Sequence, residues 1–265
     1  MNSLERKMID QLFKLKEVYG VEGVKAEFEA EGTRTEELIR LRELTLFAGV
    51  TLTLKIGGCE AVRDMYDARS IGIDHLVGPM VESPFALAKY VDAVERVFPQ
   101  EELANIQVLF NVETIEAVNN WNAFLASAVW KKASGIVIGR GDLVESLGHA
   151  RSLVDSEEIF KICEELLVSA KSQGKVTVMG GSVTVASVPF IRRLPKGCLD
   201  RYETRKVCFK TEDGLRNNPE KGITEALEFE LMWMENKRGY YSEISQEDDK
   251  RIAALKQRKG QQELK

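Results

Sequence analysis

The amino-acid sequence predicts an α/β fold, a TIM-type (β/α)8-like barrel, and three observations lead to it. The chain has 265 residues, close to the ~250 that one such barrel needs. Short β-rich runs alternate with longer helical patterns, as in a parallel sheet. The first strand patterns are half polar, whereas strands of an open parallel sheet are apolar on both faces. A closed barrel with polar side chains inside accounts for all three observations.

Seven sequence runs are predicted to be strands. Along 24–29 apolar residues alternate strictly with charged ones, and 51–56 alternates in the same way up to Lys55 and Ile56. The alternative for 24–31 is a solvated sheet edge. An eighth strand would have to be missing, irregular or supplied from elsewhere. The seven runs are 24–29, 51–56, 75–80, 106–113, 135–140, 175–181 and 203–210.

Amphipathic helices are predicted between the strands. The clearest is 156–174, where Ser156 can cap the amino end and Gly174 can end the helix. A second is 34–49. Repetition of strand and helix along the chain is what a barrel of parallel strands requires.

The sequence divides into three segments. Residues 1–20 are predicted to form an N-terminal amphipathic helix, 21–215 the barrel, and 216–265 C-terminal helices in a homo-oligomer. From Ser245 onward the chain is strongly charged and is expected to be a frayed helix or tail.

One C-terminal helix, 223–241, carries an apolar stripe. Leu227, Leu231 and Met234 lie on one face at helical spacing, with Trp233 on a different face. A stripe of this kind packs either on its own barrel or on a second subunit.

Composition excludes several classes of function. A net charge of −5 disfavours nucleic acid or an anionic membrane as the main partner, and no apolar run approaches the ~20 residues of a membrane span. The four cysteines are far apart without a CxxC pair, which disfavours zinc and disulfides and favours the cytoplasm. His75 and His149 are the two histidines. A small-molecule substrate is therefore expected.

Two carboxylates follow neighbouring predicted strands, Glu113 and Asp142. Adjacent strands lie about 4.8 Å apart, so both groups could bind one ion. Two carboxylates completed by water and substrate oxygens are typical ligands of Mg²⁺ or Mn²⁺. The alternative is that each one caps the helix that follows it.

A second glycine-rich segment follows the sixth predicted strand. Gly180, Gly181 and Ser182 open a helical pattern and could hold a phosphate or a carboxylate. An ordinary strand-to-helix turn with Ser182 as the cap is the favoured alternative.

These motifs resemble a known family. "NVETIEAVNN" (111–120), followed by Asp142 in "GRGDLVESLG", is similar to the HpcH/HpaI aldolase/citrate lyase β-chain family. The segment 51–87 extends the resemblance, which covers roughly residues 22 to 210. It implies a metal-dependent barrel that cleaves or forms a C–C bond through the enolate of pyruvate or a related 2-oxo acid.

The resemblance also implies roles for individual residues. Glu113 and Asp142 would bind the Mg²⁺ or Mn²⁺, and the backbone N–H groups of Gly141 and Asp142 would receive the substrate carboxylate. Lys55 stands where the family has an arginine on the oxo group. Asn111 stands where the family has a glutamine near pyruvate.

The sequence departs from the family in three respects. The family histidine, which would act as the base, is absent, and Glu29 and Glu31 lie in its region. Either one of these glutamates or a metal-bound water is the base, or this protein has lost aldol activity. Arg140 replaces a proline and is expected to face an acidic group of the substrate or of a neighbouring subunit. The first strand is expected to be atypical or missing, with the N-terminal helix in its place.

Two other functions remain open at this point. One is an acyl-CoA lyase of the malyl- or citramalyl-CoA type. The other is a barrel that binds a metabolite without turnover, which the missing histidine makes worth testing.

Overall fold

Eight strands close into one barrel in chain order, which confirms the predicted fold. The computed structural model describes residues 1–263. The first seven strands run parallel to their neighbours, and the eighth runs antiparallel to both the seventh and the first. The strands are β1 (Val21–Glu27), β2 (Thr51–Lys55), β3 (His75–Gly78), β4 (Gln107–Val112), β5 (Gly135–Gly139), β6 (Val176–Gly180), β7 (Arg201–Glu203) and β8 (Val207–Lys210).

The eighth strand lies inside the run 203–210, which the sequence predicts as one strand. Thr204 closes a turn there: its N–H donates to the carbonyl of Val207 at 2.9 Å, and its hydroxyl accepts from the Val207 N–H at 3.1 Å. A connection this short can join only antiparallel strands. The barrel therefore ends in a hairpin.

The expected atypical strand is thus the last one. The prediction that the first strand is missing or replaced is wrong, because β1 is present and pairs in parallel with β2. Its pairing with β8 is antiparallel, with one register shift between Val21 and Gly23, and β8 fills the place between β7 and β1. The N-terminal helix, Ser3–Tyr19, does not replace a strand. It packs outside the barrel against the helices Thr35–Ala48 and Pro219–Glu263.

The half-polar strands have their charged side inside the barrel. Val24 and Ala26 of β1 belong to the large core between strands and helices, whereas Lys25 and Glu27 line an interior cavity. The solvated-edge alternative for β1 is therefore wrong. Below the cavity, a small apolar layer fills the barrel, formed by Val77, Leu109, Val137 and Val178.

Helices surround the barrel. In the predicted helix 156–174, Ser156 accepts from the N–H of Ile159 and Gly174 follows the end with φ of 72°, as expected. Every helix within residues 1–263 is too short or too polar to span a membrane. The α-helices are α1 (Ser3–Tyr19), α2 (Thr35–Ala48), α3 (Val62–Ile71), α4 (Pro84–Val97), α5 (Gln100–Leu103), α6 (Ile115–Asn119), α7 (Trp121–Ala126), α8 (Arg140–Ser146), α9 (Glu157–Ser172), α10 (Val188–Arg193), α11 (Thr211–Arg216) and α12 (Pro219–Glu263), with 3₁₀ turns at Ala128–Lys132, Arg151–Leu153 and Val185–Ser187.

Helix α12 is one continuous helix of 45 residues. The tail predicted from Ser245 onward continues this helix to Glu263, and residues 264–265 lie outside the described part of the chain. The charged sequence beyond residue 245 is exposed along its described length, so it adds no core to the barrel.

The buried side of α12 is not the predicted stripe. Leu227, Leu231 and Met234 are each more than half exposed, whereas Trp233 and Phe229 are buried against the barrel. Of the two alternatives for the stripe, packing on its own barrel is therefore wrong, and packing on a second subunit stays a prediction. The barrel selects the face that carries the two aromatic rings.

Candidate active site

A cavity of about 490 Å³ opens at the carboxyl end of the barrel strands, where barrel enzymes place their chemistry. Six carboxylates in its wall outnumber four cationic side chains, which leaves two excess negative charges when all ten are ionised. We call it the carboxyl-end cavity. The carboxylates are Glu27, Glu29, Glu113, Asp142, Glu203 and Glu230, and the cations are Lys25, Lys55, Arg151 and Arg205.

Glu113 lies at the centre of the site and is 1% exposed. Its Oε1 accepts from the Met80 N–H at 2.9 Å. Its Oε2 accepts from Lys55 Nζ at 3.3 Å and from the Asn111 amide. Burial raises the pKa of Glu113, and Asp142 adds to this, while Lys55, Met80 and Asn111 oppose it without cancelling it.

Two glycines are required for this packing. The Glu113 side chain crosses Gly139 of the adjacent strand, where a Cβ would lie 2.6 Å from Oε2. At Gly181, with φ of 76°, a Cβ would lie 2.4 Å from the N atom of Gly141. Two non-glycine residues of the site have positive φ: Met80, whose N–H donates to Glu113, has φ of 50°, and Ser182, next to Gly181, has φ of 57°. Strain in non-glycine residues often concentrates at functional sites.

Asp142 is the third residue of α8 and lines the same cavity. Its carboxylate lies 3.6 Å from Arg151 and acts electrostatically on Glu113. The cap of the helix after Glu113 is Thr114, and α8 starts at Gly139 without a side-chain cap. Neither carboxylate therefore caps a helix, although Asp142 lies in the first turn of α8.

Lys55 is held by two carboxylates. Its Nζ lies 2.9 Å from Glu29 and 3.3 Å from Glu113. Burial lowers the pKa of Lys55, but Glu113 and Glu29 outweigh burial and raise it. The side chain is therefore a fixed positive charge in the wall of the cavity.

A second interior lysine was not predicted as a site residue. Lys25 donates to Glu203 at 3.1 Å and lies 3.2 Å from Glu27. Burial opposes the charge of Lys25, but Glu203 and Glu27 raise its pKa above the ordinary value. The alternation in β1 indicated that Lys25 and Glu27 point inward. Glu203 was missed because a single strand over 203–210 would put it at the amino end.

Asn111 presents an unused acceptor. Its Nδ2 donates to Glu113, and its Oδ1 is buried with no hydrogen-bond partner among the described residues. An unpaired buried oxygen costs free energy. A ligand that approaches Glu113 would find this oxygen available.

Arg140 has a different role from the predicted one. It is fully buried, and its guanidinium bonds to Asp155 and to the carbonyls of Gly180 and Gly181, both at 3.2 Å. It faces neither the cavity nor solvent. Arg140 therefore fastens the two glycine-rich loops together, and its predicted contact with substrate or a neighbouring subunit is wrong.

Glu31 also lies away from the site. Its carboxylate accepts from the Lys206 ammonium and from Thr33, and it pairs with Arg205. It lines a smaller cavity under α12 and not the carboxyl-end cavity. Glu29, by contrast, lines the carboxyl-end cavity and forms an ion pair with Lys55.

The loop after β6 lines the site. Gly181 and Ser182 reach the cavity, while Gly180 contributes its carbonyl to Arg140. Thr184, not Ser182, caps the turn that follows. The prediction that Ser182 is the cap is therefore wrong, whereas binding of a phosphate or carboxylate at this loop stays a prediction.

The two histidines lie elsewhere. His75 begins β3 at the opposite end of the barrel, as the sequence indicates. His149 is exposed beside Glu158.

The residues present fit a divalent cation with few protein ligands. A carboxylate offers about four lone pairs, of which Glu113 uses three, so one remains on Oε1. Asp142 adds a second carboxylate, and the cavity carries an excess of two negative charges. Among residues 1–260, no group of three or more His, Cys, Asp or Glu is arranged to hold a metal. Mg²⁺ commonly uses one or two carboxylates, with water and substrate at the other positions.

The chain is a barrel with a buried charged centre at the carboxyl ends of its strands, the end at which barrel enzymes place their active sites. The family model described as HpcH/HpaI aldolase/citrate lyase matches residues 58–185, just under half of the chain. The resemblance seen in the sequence motifs is thereby confirmed, and the match of the family model supports a lyase- or aldolase-type function. The matched segment contains Asn111, Glu113 and Asp142, whereas Lys55 and Glu29 precede it.

Solved structures share the fold. An HpcH/HpaI aldolase from Desulfitobacterium hafniense DCB-2 has a TM-score of 0.59 at 16% identity, covering 74% of this chain and 81% of that one. The citrate synthase SbnG has a TM-score of 0.58 at 15% identity, covering 71% and 78%. A family protein from Burkholderia cenocepacia J2315 has a TM-score of 0.55 at 15% identity, covering 72% and 89%. No curated protein matches the sequence.

Proposed function

We propose that this protein is a divalent-metal-dependent C–C lyase, aldolase or synthase that acts through the enolate of pyruvate or a related 2-oxo acid. The observation that carries the proposal is the convergence of Glu113 and Asp142 on one cavity beside Lys55. The adjacent strands β4 and β5 bring the two carboxylates together.

Glu113 and Asp142 would hold Mg²⁺ or Mn²⁺. When bound, the ion supplies positive charge that stabilises the enolate oxygen as the C–C bond breaks. A bound cation would also offset the excess negative charge of the cavity, which otherwise repels an anionic substrate. Glu113 keeps its bonds to Met80 and Asn111, which orient its remaining lone pair.

Lys55 would place a second positive charge near the developing negative charge of the substrate. An ammonium is a point charge and not a bidentate fork, so it stabilises an oxygen without fixing a plane. Asn111 offers an amide oxygen to the same region. The carboxylate of the 2-oxo acid would lie against the backbone of Gly141 and Asp142, with Gly181 and Ser182 on the other side of the cavity.

The test is release or condensation of pyruvate and oxaloacetate over a panel of hydroxy-oxo acids, with and without a chelator. Asp142→Asn is expected to lower kcat/KM by about 100-fold or more, because it removes a charged ligand from the centre. The matched control is Glu145→Gln, one turn along α8, since Glu145 also contacts Arg151 but does not line the cavity.

Unchanged activity in Asp142→Asn would overturn the proposed mechanism. Malyl-CoA and citramalyl-CoA are tested separately. If they are cleaved in preference to the free acids, the protein is an acyl-CoA lyase. Absence of divalent-ion binding in calorimetry, together with absence of turnover, would favour a barrel that only binds a metabolite.

A further inference from the structure

Cleavage next to a hydroxyl needs a group that takes the hydroxyl proton and returns a proton to the enolate carbon. No histidine lines the carboxyl-end cavity in the described chain. The two lysines of the cavity are held in the charged form by their carboxylate partners. The cavity carboxylates are therefore the side chains that can exchange this proton, and a metal-bound water is the alternative. This inference rests on the proposed function and identifies its proton carrier.

Five of the six carboxylates already have a cationic partner. Glu29 and Glu113 share Lys55, Glu27 and Glu203 share Lys25, and Asp142 pairs with Arg151. Pairing stabilises the charged form of a carboxylate and so weakens it as a base. Glu113, whose pKa burial raises in spite of its partners, is set aside because it would hold the metal. Within residues 1–260, Glu230 is the cavity carboxylate that makes no hydrogen bond or ion pair.

Glu230 reaches the cavity from α12, one helical turn beyond Leu227, which also lines it. The side chain is half-buried and also borders a smaller cavity of about 270 Å³, which Lys237 lines as well. The hairpin turn between β7 and β8 lies on its other side. The C-terminal helix therefore presents one acidic and one apolar side chain to the mouth of the site.

The charged groups around Glu230 come from three elements. Lys206 and Arg205 face it from the hairpin turn, Glu31 from the loop after β1, and Lys25 from β1. Burial raises the pKa of Glu230 and Glu31 adds to this, while the cations oppose it without cancelling it. A carboxylate in this setting is a better base than an ordinary one.

We propose that Glu230 is the general acid–base of this site. The carboxylate takes the proton of the substrate hydroxyl, and the O–H electron pair forms the new carbonyl. The electrons of the broken C–C bond pass to the 2-oxo fragment as its enolate. The protonated Glu230 then returns the proton to the enolate carbon, so that atoms and charge balance and the carboxylate is restored.

Glu230→Gln tests the proposal, with Glu228→Gln as the matched control, since Glu228 is exposed on the same helix. We expect kcat to fall by about 100-fold or more in Glu230→Gln, with KM and divalent-ion binding unchanged. The acid limb of the kcat/KM profile should disappear, and Glu230→Asp should recover part of the rate. Glu228→Gln should behave as wild type. Wild-type kcat and an unchanged pH profile in Glu230→Gln would overturn the proposal.

A second measurement separates this inference from the proposed function. NMR titration of carboxyl-labelled glutamate, assigned by comparison with Glu230→Gln, follows Glu230 itself with and without pyruvate and Mg²⁺. A raised pKa that changes on addition of pyruvate supports the proposal even where no turnover substrate has been found. An ordinary pKa that pyruvate leaves unchanged would overturn it, whatever the panel of substrates shows.

Discussion

The two ends of the barrel hold charged groups in opposite ways. At the amino end, Arg201 is buried, donates to Gln107 at 2.7 Å, and lies within 3.2 Å of the His75 ring. At the carboxyl end, Glu113 is equally buried but belongs to a cavity with surplus negative charge and strained loops.

Cavity size does not follow this difference. A larger cavity of about 810 Å³ lies at the amino end. Its buried cation, Arg201, is already paired with Gln107 and Glu22. Polar groups that are paired and buried contribute to a specific fold, while groups with spare lone pairs or excess charge are available to a ligand. We therefore expect catalysis at the carboxyl end and a structural role for the charges at the amino end. Variants at Glu113, Arg201 and His75 test this difference.

The largest effect is expected for Glu113→Gln. Turnover should fall by about 1000-fold, because the variant removes the central negative charge. Stability should not fall, since the raised pKa of Glu113 means that its ionised form is disfavoured in the folded state. Wild type should therefore lose stability relative to the variant as pH rises through the folded-state pKa.

Activity on the proposed panel and chemical denaturation measure the two quantities separately. Turnover within tenfold of wild type would mean that the negative charge at the carboxyl end is structural. If Glu113→Gln is both inactive and strongly destabilised, Glu113 contributes to folding as Arg201 does, and the proposed difference between the two ends is wrong.

Arg201→Met should give the reverse result. It removes the donor to Gln107 and the ion-pair partner of Glu22, 3.7 Å away, and should cost about 2–4 kcal/mol of folding free energy. Turnover per folded molecule should be unchanged. Arg192→Met, exposed in the same amino-end cavity, should change stability by less than about 0.5 kcal/mol. Loss of turnover without loss of stability in Arg201→Met would contradict the assignment of this end to the fold.

Much of the carboxyl-end site could be predicted because strand ends follow from alternation. Once β4 and β5 are adjacent and parallel, Glu113 and Asp142 must emerge at one edge, and Lys55 follows from the phase of β2. These inferences need the local pattern and the strand order, and both are available in the sequence.

The hairpin could not be predicted in the same way. The run 203–210 contains no Gly, Pro, Asn or Asp, which usually mark a turn, and the Thr204 side chain closes the turn instead. Glu203 consequently lay at the wrong end of the predicted strand. A turn made by one hydroxyl leaves almost no signal in composition.

Arg140 was given the wrong role, and Glu230 was missed, for another reason. The partners of Arg140 come from segments 15 and 40 residues away, and no local pattern indicates a contact of that kind. The position of Glu230 depends on how α12 packs on the barrel, and the spacing of apolar residues in α12 does not indicate which of its side chains reach the cavity. Both roles are set by tertiary packing.

The smallest effect, counted per unit of pH, is expected in the pH dependence of stability, and it concerns the amino end. Burial lowers the pKa of His75 to about 3, and the positive charge of Arg201 adds to this. In the unfolded chain His75 binds a proton near pH 6.5, whereas in the folded protein it binds one only near pH 3. Stability is therefore complete above pH 6.5 and falls as the pH decreases, by up to about 1.4 kcal/mol per pH unit from this group.

His75→Gln should remove that part of the slope, and His149→Gln, on the exposed surface, should keep it. Urea unfolding between pH 4.5 and 7.5 measures both, with turnover at pH 7.5 as the second readout, which neither variant should change. If stability depends on pH equally in His75→Gln and wild type, His75 is protonated in the folded protein. The two positive charges of His75 and Arg201 would then need more negative charge nearby than Glu22 supplies. A parallel change in turnover would connect the two ends of the barrel, which the apolar layer between them otherwise keeps apart.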